Sequence, residues 1–288
     1  MFMINLRNGE IYVIKLKTFG SFTVGNDLTS VQEGAWRSKK LEKLFVYLAI
    51  NRNRGVCIED ISKAIWQVEE ETDNPVGALK NLAYRLRKAL RDASFDEECI
   101  VSVRGGLYKW NDDVEVSIDV EEFDRYINEA EFAFSRSKET AIESYEKAIA
   151  LYNGDFLSRL TDTHWFMTLN AFYHSRYVNT VKALAKLYID TGCYEKLEQL
   201  CTKAIVYERS DEQIYSYLIV ARMRTKKVQM AFDTYEAAKA IMDNDLGVRK
   251  TVMLNKVYEE LLSVTKGVSS YNIDEVKDDI SEESMNGV

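Results

Sequence analysis

Proline is nearly absent from this chain of 288 residues, since Pro75 is the only one. Because proline interrupts helices and internal strands, its scarcity favours long, uninterrupted helices. Histidine is almost as rare: His164 and His174 have no third ligand at metal-binding spacing, which favours a satisfied or exposed structural role for both. The patterns G-x-S-x-G, G-x-G-x-x-G and H-E-x-x-H do not occur. We therefore expect no enzyme, no metal site and no cofactor.

Cysteine is sparse as well, and its spacing contains no C-x-x-C pair. The four cysteines are interpreted as small buried hydrophobic residues of a reducing cytosol: Cys57, Cys99, Cys193 and Cys201. The sequence also lacks a run of about 18 apolar residues and a secretory pattern at its start. These absences predict a cytoplasmic protein with no membrane partner.

Positive charge is in deficit, with 38 Lys and Arg against 46 Asp and Glu, a net charge of −8. The deficit is uneven, because residues 34–110 carry 14 basic and 11 acidic side chains. Residues 267–288 carry six acids and one lysine. A nucleic acid responds to the local patch rather than to the global sum, so the acidic total does not exclude DNA as a partner.

The most informative segment, residues 74–93, reads NPVGALKNLAYRLRKALRDA and contains no acid before Asp92. Asn74 suits an N-cap and Pro75 suits the first helical turn. Four leucines at helical spacing form an apolar stripe: Leu79, Leu82, Leu86 and Leu90. A helix with one apolar face and one cationic, amide-bearing face fits the DNA major groove. A solvated surface helix is the alternative.

The polar face of this helix supplies the candidate DNA contacts. The predicted base contacts, through amide, ammonium and phenol groups, are Lys80, Asn81 and Tyr84. The predicted contacts to phosphates or guanine edges are Arg85, Lys88 and Arg91. Arg87 lies nearer the apolar flank, and we expect it to pair with an acid or a phosphate.

The elements around this helix are predicted to be strands, two further helices and a hairpin. Residues 11–24 alternate apolar and polar side chains as a strand does, up to Gly20. A first helix precedes Gly55, with an apolar stripe of Leu41, Leu44, Phe45 and Leu48. A short helix covers 58–66, and residues 99–113 form a hairpin turning at Gly105 and Gly106. This order is typical of a winged helix-turn-helix.

Two flanking groups extend the candidate DNA-binding set. At the start of the first helix, basic side chains can contact the DNA backbone or remain solvated: Arg37, Lys39 and Lys40. At the hairpin tip, the residues predicted to approach DNA are Arg104, Gly105 and Lys109.

From residue 118 to 266 the pattern is almost entirely helical and it repeats. Tyr194 corresponds to Val228, and Ala204 to Ala238, at a period of 34 residues. This period, with small residues where helices cross, is typical of tetratricopeptide repeats. A related unit contains Ala141 and Ala148. Residues 267–288 are polar and acidic, which predicts a disordered tail.

Together these segments resemble the bacterial activators related to the antibiotic regulatory proteins (SARP). KTFGSFTV resembles the opening strand of that family, and RSKKLEKLFVYLAINRNRGVCIEDISKAIW its first two helices. ALKNLAYRLRKAL resembles the end of its recognition helix, VRGGLYKW its wing, and VSIDVEEFDRYI the start of its activator domain. LYNGDFL and AFDTYEAAKAIMDNDLGV resemble later parts of that domain. The wing departs from R-G-x-G-Y, because Leu107 replaces the second glycine and Gly106 precedes it.

The resemblance implies an α+β N-terminal winged helix-turn-helix domain of the OmpR type, followed by an all-α tetratricopeptide-like helical repeat domain. The expected divisions are a flexible N-terminus at 1–10, the DNA-binding domain at 11–114, the bacterial transcriptional activator domain at 115–266 and the tail at 267–288. The implied function is activation of transcription from promoter repeats in double-stranded DNA.

The resemblance also implies RNA polymerase as a partner of the helical domain. Self-association as a homodimer on DNA, and a small-molecule or peptide ligand of the helical domain, stay open. The alternative function is a tetratricopeptide-type protein–protein adaptor whose winged helix no longer binds DNA. The operator, the regulated genes and the activating signal do not follow from the sequence.

Overall fold

The computed structural model describes residues 6–7, 10–11, 13–26, 29–67, 74–95, 99–103, 106–245 and 251–265. The chain divides into two compact units, Met1–Tyr177 and Val178–Val288. The first unit combines small sheets with helices, and the described part of the second unit is helical. The predicted order, an α+β region followed by helical repeats, is confirmed.

The strands all belong to the first unit. They are β1 (Leu6–Arg7), β2 (Glu10–Ile11), β3 (Val13–Lys17), β4 (Thr23–Gly25), β5 (Ser30–Gln32), β6 (Ile100–Val103), β7 (Leu107–Trp110) and β8 (Glu115–Ile118). Four of them form a sheet in the order β5-β4-β3-β8, in which β8 runs parallel to β3 and the other pairs are antiparallel. The predicted alternation of β3 is confirmed: Ile14 and Leu16 are buried, whereas Lys15 and Lys17 are exposed.

The helices follow the predicted order. They are α1 (Lys39–Ile50), α2 (Ile58–Ile65), α3 (Pro75–Asp92), α4 (Asp119–Ala133), α5 (Lys138–Leu151), α6 (His164–Asp190), α7 (Tyr194–Tyr207), α8 (Glu212–Arg224), α9 (Val228–Asp245) and α10 (Val252–Thr265). A 3-10 turn, Ser158–Leu160, precedes α6. The helices α1, α2 and α3 pack against one another and are followed by the antiparallel hairpin β6–β7, which is the arrangement of a winged helix.

Helix α1 is more deeply buried than its apolar stripe predicts. Every side chain from Leu41 to Ala49 is buried, including the charged Glu42 and Lys43. The reason is that elements of the activator region cover the polar side of α1: Tyr47 packs edge-to-face on Trp165 at 4.8 Å between ring centroids. Charged residues on an amphipathic helix predict a solvated face, and here that face is internal.

The repeat pattern of the second unit is confirmed. Tyr194 and Val228 are the first residues of α7 and α9, so the period of 34 residues separates two equivalent helix starts. Ala204 and Ala238 are fully buried, as expected for small residues where helices cross. Helix α8 packs against α7, α9 and α10. The repeats therefore stack helix against helix, as tetratricopeptide-like units do.

Two predicted terminal segments have different outcomes. Within residues 1–10, expected to be flexible, Leu6–Arg7 pairs with Glu10–Ile11 in a two-residue antiparallel ladder. So short a ladder contributes little stability by itself, and flexibility there stays a prediction. The acidic segment 267–288 lies outside the described residues.

Candidate nucleic-acid interface

Helix α3 starts with the predicted cap. The Asn74 side chain accepts a hydrogen bond from the backbone N–H of Gly77 at 2.9 Å, and Pro75 occupies the first helical position. The cap satisfies one of the N–H groups that a helix start leaves without an intrahelical partner, and proline has no N–H to satisfy. The sequence therefore fixes where this helix begins.

The apolar stripe of α3 faces the interior of the first unit. Its buried residues are Leu79, Leu82, Ala83, Leu86 and Leu90. They pack α3 against α1 and α2. Burial of one leucine contributes about 1.5–3 kcal/mol, so this stripe sets the rotation of the helix about its own axis.

The opposite side of α3 is open to solvent. We call six of its exposed side chains the reading face: Lys80, Asn81, Tyr84, Arg85, Lys88 and Arg91. Tyr84 is 65% exposed, which is unusual for a large aromatic side chain. Arg87 is partly buried, in agreement with its predicted place on the flank. The structure thus brings together the predicted α3 residues on one surface without an acidic residue among them.

The wing is anchored beside α2 by backbone hydrogen bonds. Val56 and Tyr108 exchange two bonds, N–H to carbonyl in both directions, at 2.8 and 2.9 Å. Gly106 has a φ of +77°, so the conformation that favours glycine occurs one position before the expected second glycine of the wing. Leu107 is partly buried at that expected position.

The predicted wing contacts have unequal outcomes. Arg104 and Gly105 lie outside the described residues. Lys109 is partly buried and forms an ion pair with Asp112 in the same hairpin. A phosphate would therefore compete with that carboxylate for the Lys109 ammonium group.

The basic residues at the start of α1 differ in their exposure. Arg37 is exposed with a φ of +50°, Lys39 is exposed and Lys40 is partly buried. Although burial raises the pKa of Asp162, the hydrogen bond and charge of Lys43, with a contribution from Lys39, lower that pKa below its ordinary value. Lys39 is therefore close enough to this acid of the activator region for its charge to act on the carboxylate.

Sequence patterns did not reveal the junction, the set of contacts that joins the winged helix to α4 and α6. Asp119, at the start of α4, accepts hydrogen bonds from the backbone N–H groups of Thr18 (2.7 Å) and Phe19 (2.9 Å) and from the Thr18 hydroxyl. Burial raises the pKa of Asp119, and the hydrogen bonds from Phe19 and Thr18 oppose that rise. The parallel pairing of β8 with β3 brings Asp119 to this position.

Two charged pairs complete the junction. Lys43, only 2% exposed, lies 2.5 Å from Asp162 and donates to the backbone carbonyl of Ile65 at 3.3 Å. Arg52, in the turn that follows α1, forms a two-bond ion pair with Glu121 of α4, one of the bonds measuring 2.7 Å. No sequence signal marks these pairs, because the partners are 69 or more residues apart.

A further hydrogen bond reaches the end of α2. The Thr163 hydroxyl donates to the backbone carbonyl of Ala64 at 2.8 Å, beside the Ile65 carbonyl that Lys43 contacts. The carbonyls of a last helical turn have no intrahelical partner, so these bonds cap α2 from outside the helix. Helix α2 packs against α3, so the junction holds a helix that supports the one with the reading face.

The histidines are used in the fold. His174 Nδ1 lies 2.9 Å from Asp155 Oδ1, and the Tyr152 hydroxyl donates to the same carboxylate. Within the described part of the chain, no group of three His, Cys, Asp or Glu side chains is placed to hold a metal ion. Among those same residues, no helix is long and apolar enough to cross a membrane.

A winged helix followed by helical repeats, with a cationic face on the third helix, defines a class of transcriptional regulators. The model of one family, the bacterial transcriptional activator domain, matches residues 118–262, half of the chain. The chain belongs to this family, and its resemblance to the SARP-type regulators is confirmed.

Two known proteins are similar to this chain beyond the region that the family model matches. The transcriptional regulator RedD of Streptomyces coelicolor is 24% identical over 238 residues, which cover 82% of this chain and 67% of RedD. EmbR of Mycobacterium tuberculosis, solved in complex with a low-affinity phosphopeptide, is 18% identical with a TM-score of 0.68. That match covers 95% of this chain and 70% of the EmbR chain and extends the fold likeness through the winged helix. The chain is therefore a SARP-type transcriptional regulator.

Proposed function

We propose that this regulator is a transcriptional activator that binds double-stranded DNA in a sequence-specific manner, with α3 in the major groove. One observation carries the proposal: the reading face is exposed and cationic, while the leucine stripe behind it is buried in the first unit. An α-helix fits the major groove, and lysine, arginine and asparagine are the side chains that read guanine and adenine edges there.

The residues of the reading face divide by chemistry. Lys80 and Asn81, in the first half of α3, are suited to base edges, because asparagine can pair with adenine and lysine reaches guanine acceptors. Arg85, Lys88 and Arg91 supply charge for phosphates, which sets affinity and salt dependence without reading the sequence. Arg87 lies at the flank of the same face.

The second part of the proposal concerns the helical repeats. Their role is to contact RNA polymerase or a second copy of the chain, the partners that the family resemblance implies. Repeat surfaces also suit peptides and small ligands, which remain the other partner class. Cytoplasmic localisation belongs to the same proposal, because promoter DNA and polymerase are there.

The rival proposal is an adaptor that binds proteins and has lost DNA binding. An adaptor has no need of an exposed cationic helix face in a chain with a net charge of −8, because that face attracts nucleic acid nonspecifically. The exposure of the reading face therefore favours the regulator that binds DNA.

An electrophoretic mobility shift with DNA from upstream of the protein's own coding sequence tests the proposal. The double substitution Lys80→Ala, Asn81→Ala is expected to abolish sequence-specific binding, since each good base contact contributes about 1–3 kcal/mol of discrimination. The matched control is Gln199→Ala, Lys203→Ala, which removes an amide and an ammonium group from exposed positions of α7.

Folding of both variants is checked by circular dichroism. The control is expected to shift DNA as the unaltered protein does. If the unaltered protein shows no salt-sensitive DNA binding, the adaptor is supported. If the Lys80/Asn81 variant binds like the control, the assignment of α3 as the reading helix is wrong.

A further inference from the structure

The exposed side of α3 carries apolar side chains as well as cations. Val76 is 43% exposed and Tyr84 is 65% exposed. Sequence patterning picks out Tyr84 but not Val76, because valine has no polar group to mark it as a contact. Single exposed apolar residues are ordinary on protein surfaces. Two exposed apolar residues on the proposed DNA-contacting side of one helix need a chemical explanation.

The two apolar residues lie on one ridge of the helix. Val76, Lys80, Tyr84 and Lys88 follow one another at intervals of four residues, which places them along the same side of α3. The helical rise of 1.5 Å per residue puts neighbouring members about 6 Å apart and Val76 about 12 Å from Tyr84. The ridge thus alternates apolar and cationic groups.

The DNA major groove offers one apolar group, the C5-methyl of thymine. Base pairs rise by about 3.4 Å along the duplex axis, so side chains about 12 Å apart on an inclined helix reach base pairs at most about four steps apart. Asn81 precedes Tyr84 by three residues, and its amide is suited to the adenine of an A·T pair. The chemistry of this ridge therefore matches thymine and adenine.

We infer that Val76 and Tyr84 are specificity-determining residues that contact the C5-methyl groups of two thymines, at most about four base pairs apart in the operator. The inference rests on the proposed function, in which α3 occupies the major groove. The substrate class is duplex DNA with A·T pairs at those two positions, and Lys80 lies over the base pairs between them.

Replacing thymine by uracil tests this inference, because the exchange removes only the methyl group. The probe is the duplex that the full-length protein enriches from a library of random double-stranded DNA. It is resynthesised with uracil at one thymine position at a time, and each affinity is measured by fluorescence anisotropy. Loss of one buried methyl contact is expected to weaken binding about fourfold at each of two positions and little elsewhere.

Protein variants assign each methyl group to its side chain. Val76→Ala is expected to abolish the uracil penalty at one position and Tyr84→Ala at the other, so that both bases bind alike there. Tyr84→Phe keeps the ring and is expected to keep the penalty. Phe132→Ala, which removes an aromatic side chain 66% exposed on α4, is the matched control and is expected to keep both penalties.

The outcomes separate this inference from the proposal beneath it. A duplex that is enriched and bound, but shows no uracil penalty at any position, overturns the thymine contacts and leaves DNA binding intact. A penalty that persists in Val76→Ala and Tyr84→Ala assigns the methyl groups to other residues and overturns the inference too. Failure to enrich any duplex contradicts DNA binding itself, and the inference falls with it.

Discussion

Lys43 and Lys88 are both helical lysines of the first unit, yet their surroundings are opposite. Lys43 of α1 is 2% exposed and is paired with Asp162. Lys88 of α3 is exposed on the reading face, whose six side chains include no acid, and the exposed Asp92 follows it as the last residue of the helix. One lysine supports the junction within the folded chain, whereas the other is available to a polyanion outside it.

This contrast holds for the two surfaces as a whole. The junction satisfies its charges and donors internally: Asp119 accepts three hydrogen bonds from Thr18 and Phe19, and Arg52 pairs with Glu121. The reading face instead concentrates like charges, which repel one another and destabilise the fold slightly. We therefore expect positive charge to stabilise the fold at the junction and to bind DNA at the reading face, and substitutions should separate the two effects.

The largest effect is expected at Asp119. The substitution Asp119→Ala leaves the N–H groups of Thr18 and Phe19 and the Thr18 hydroxyl without their acceptor, and each buried donor so stranded costs about 1–3 kcal/mol. We expect the free energy of unfolding, measured by urea denaturation, to fall by about 3–5 kcal/mol. Asp113→Ala, at an exposed position of the preceding loop, is the control and should cost less than about 0.5 kcal/mol. Equal losses in the two variants would contradict the role of the junction.

A smaller loss is expected when Lys43 is replaced by methionine. Lys43→Met keeps a long side chain but removes the charge that faces Asp162 and the donor to the Ile65 carbonyl. Because Asp162 is one-third exposed and can be solvated, we expect a loss of about 2 kcal/mol rather than the larger cost of a fully buried orphaned charge. Lys63→Met on the exposed side of α2 should be nearly neutral. If Lys43→Met left the free energy of unfolding unchanged, the buried Lys43–Asp162 pair would not contribute to stability.

The pH dependence of stability gives a second test of the pair formed by Lys43 and Asp162. Burial raises the pKa of Asp162, but opposing effects that include those of Lys43 and Lys39 together lower it by more than burial raises it. The folded pKa therefore lies below the ordinary value of 3.8. A lowered folded pKa contributes stability that is complete above pH 3.8 and disappears as the pH falls through the folded pKa. Asp162→Asn should therefore destabilise the protein by about 1 kcal/mol at neutral pH. Urea denaturation should show that difference shrinking below pH 3.8; a difference that persisted at lower pH would be due to packing.

The reading face was predictable from the sequence because its signals are local. The Asn74 cap, Pro75 and the leucine stripe act within one helix, and together they fix both its start and its exposed side. The junction was not predictable, because its partners are distant in the chain: Asp119 and Thr18 are 101 residues apart. Only the pairing of β8 with β3 brings them together, and no spacing rule identifies which acid meets which donor.

Lys39 was predicted to contact the DNA backbone or to remain solvated, and its nearness to Asp162 makes it the most sensitive test of the comparison. Removing one lysine that contacts a phosphate makes the slope of log association constant against log salt concentration shallower by about 0.9. We expect Lys88→Ala to reduce the slope by about that amount, because Lys88 lies on the reading face. We expect Lys39→Ala to leave the slope unchanged, because the Asp162 carboxylate already lies within range of the Lys39 charge.

The measurement is a salt titration of binding to the enriched duplex, with both variants at equal folded fractions. A shallower slope in Lys39→Ala would indicate that Lys39 contacts a DNA phosphate, the first of the two roles predicted from the sequence. An unchanged slope in Lys88→Ala would mean that the second half of α3 stands away from the phosphates. Either result would change which lysines are assigned to stabilising the fold and which to the proposed DNA contact.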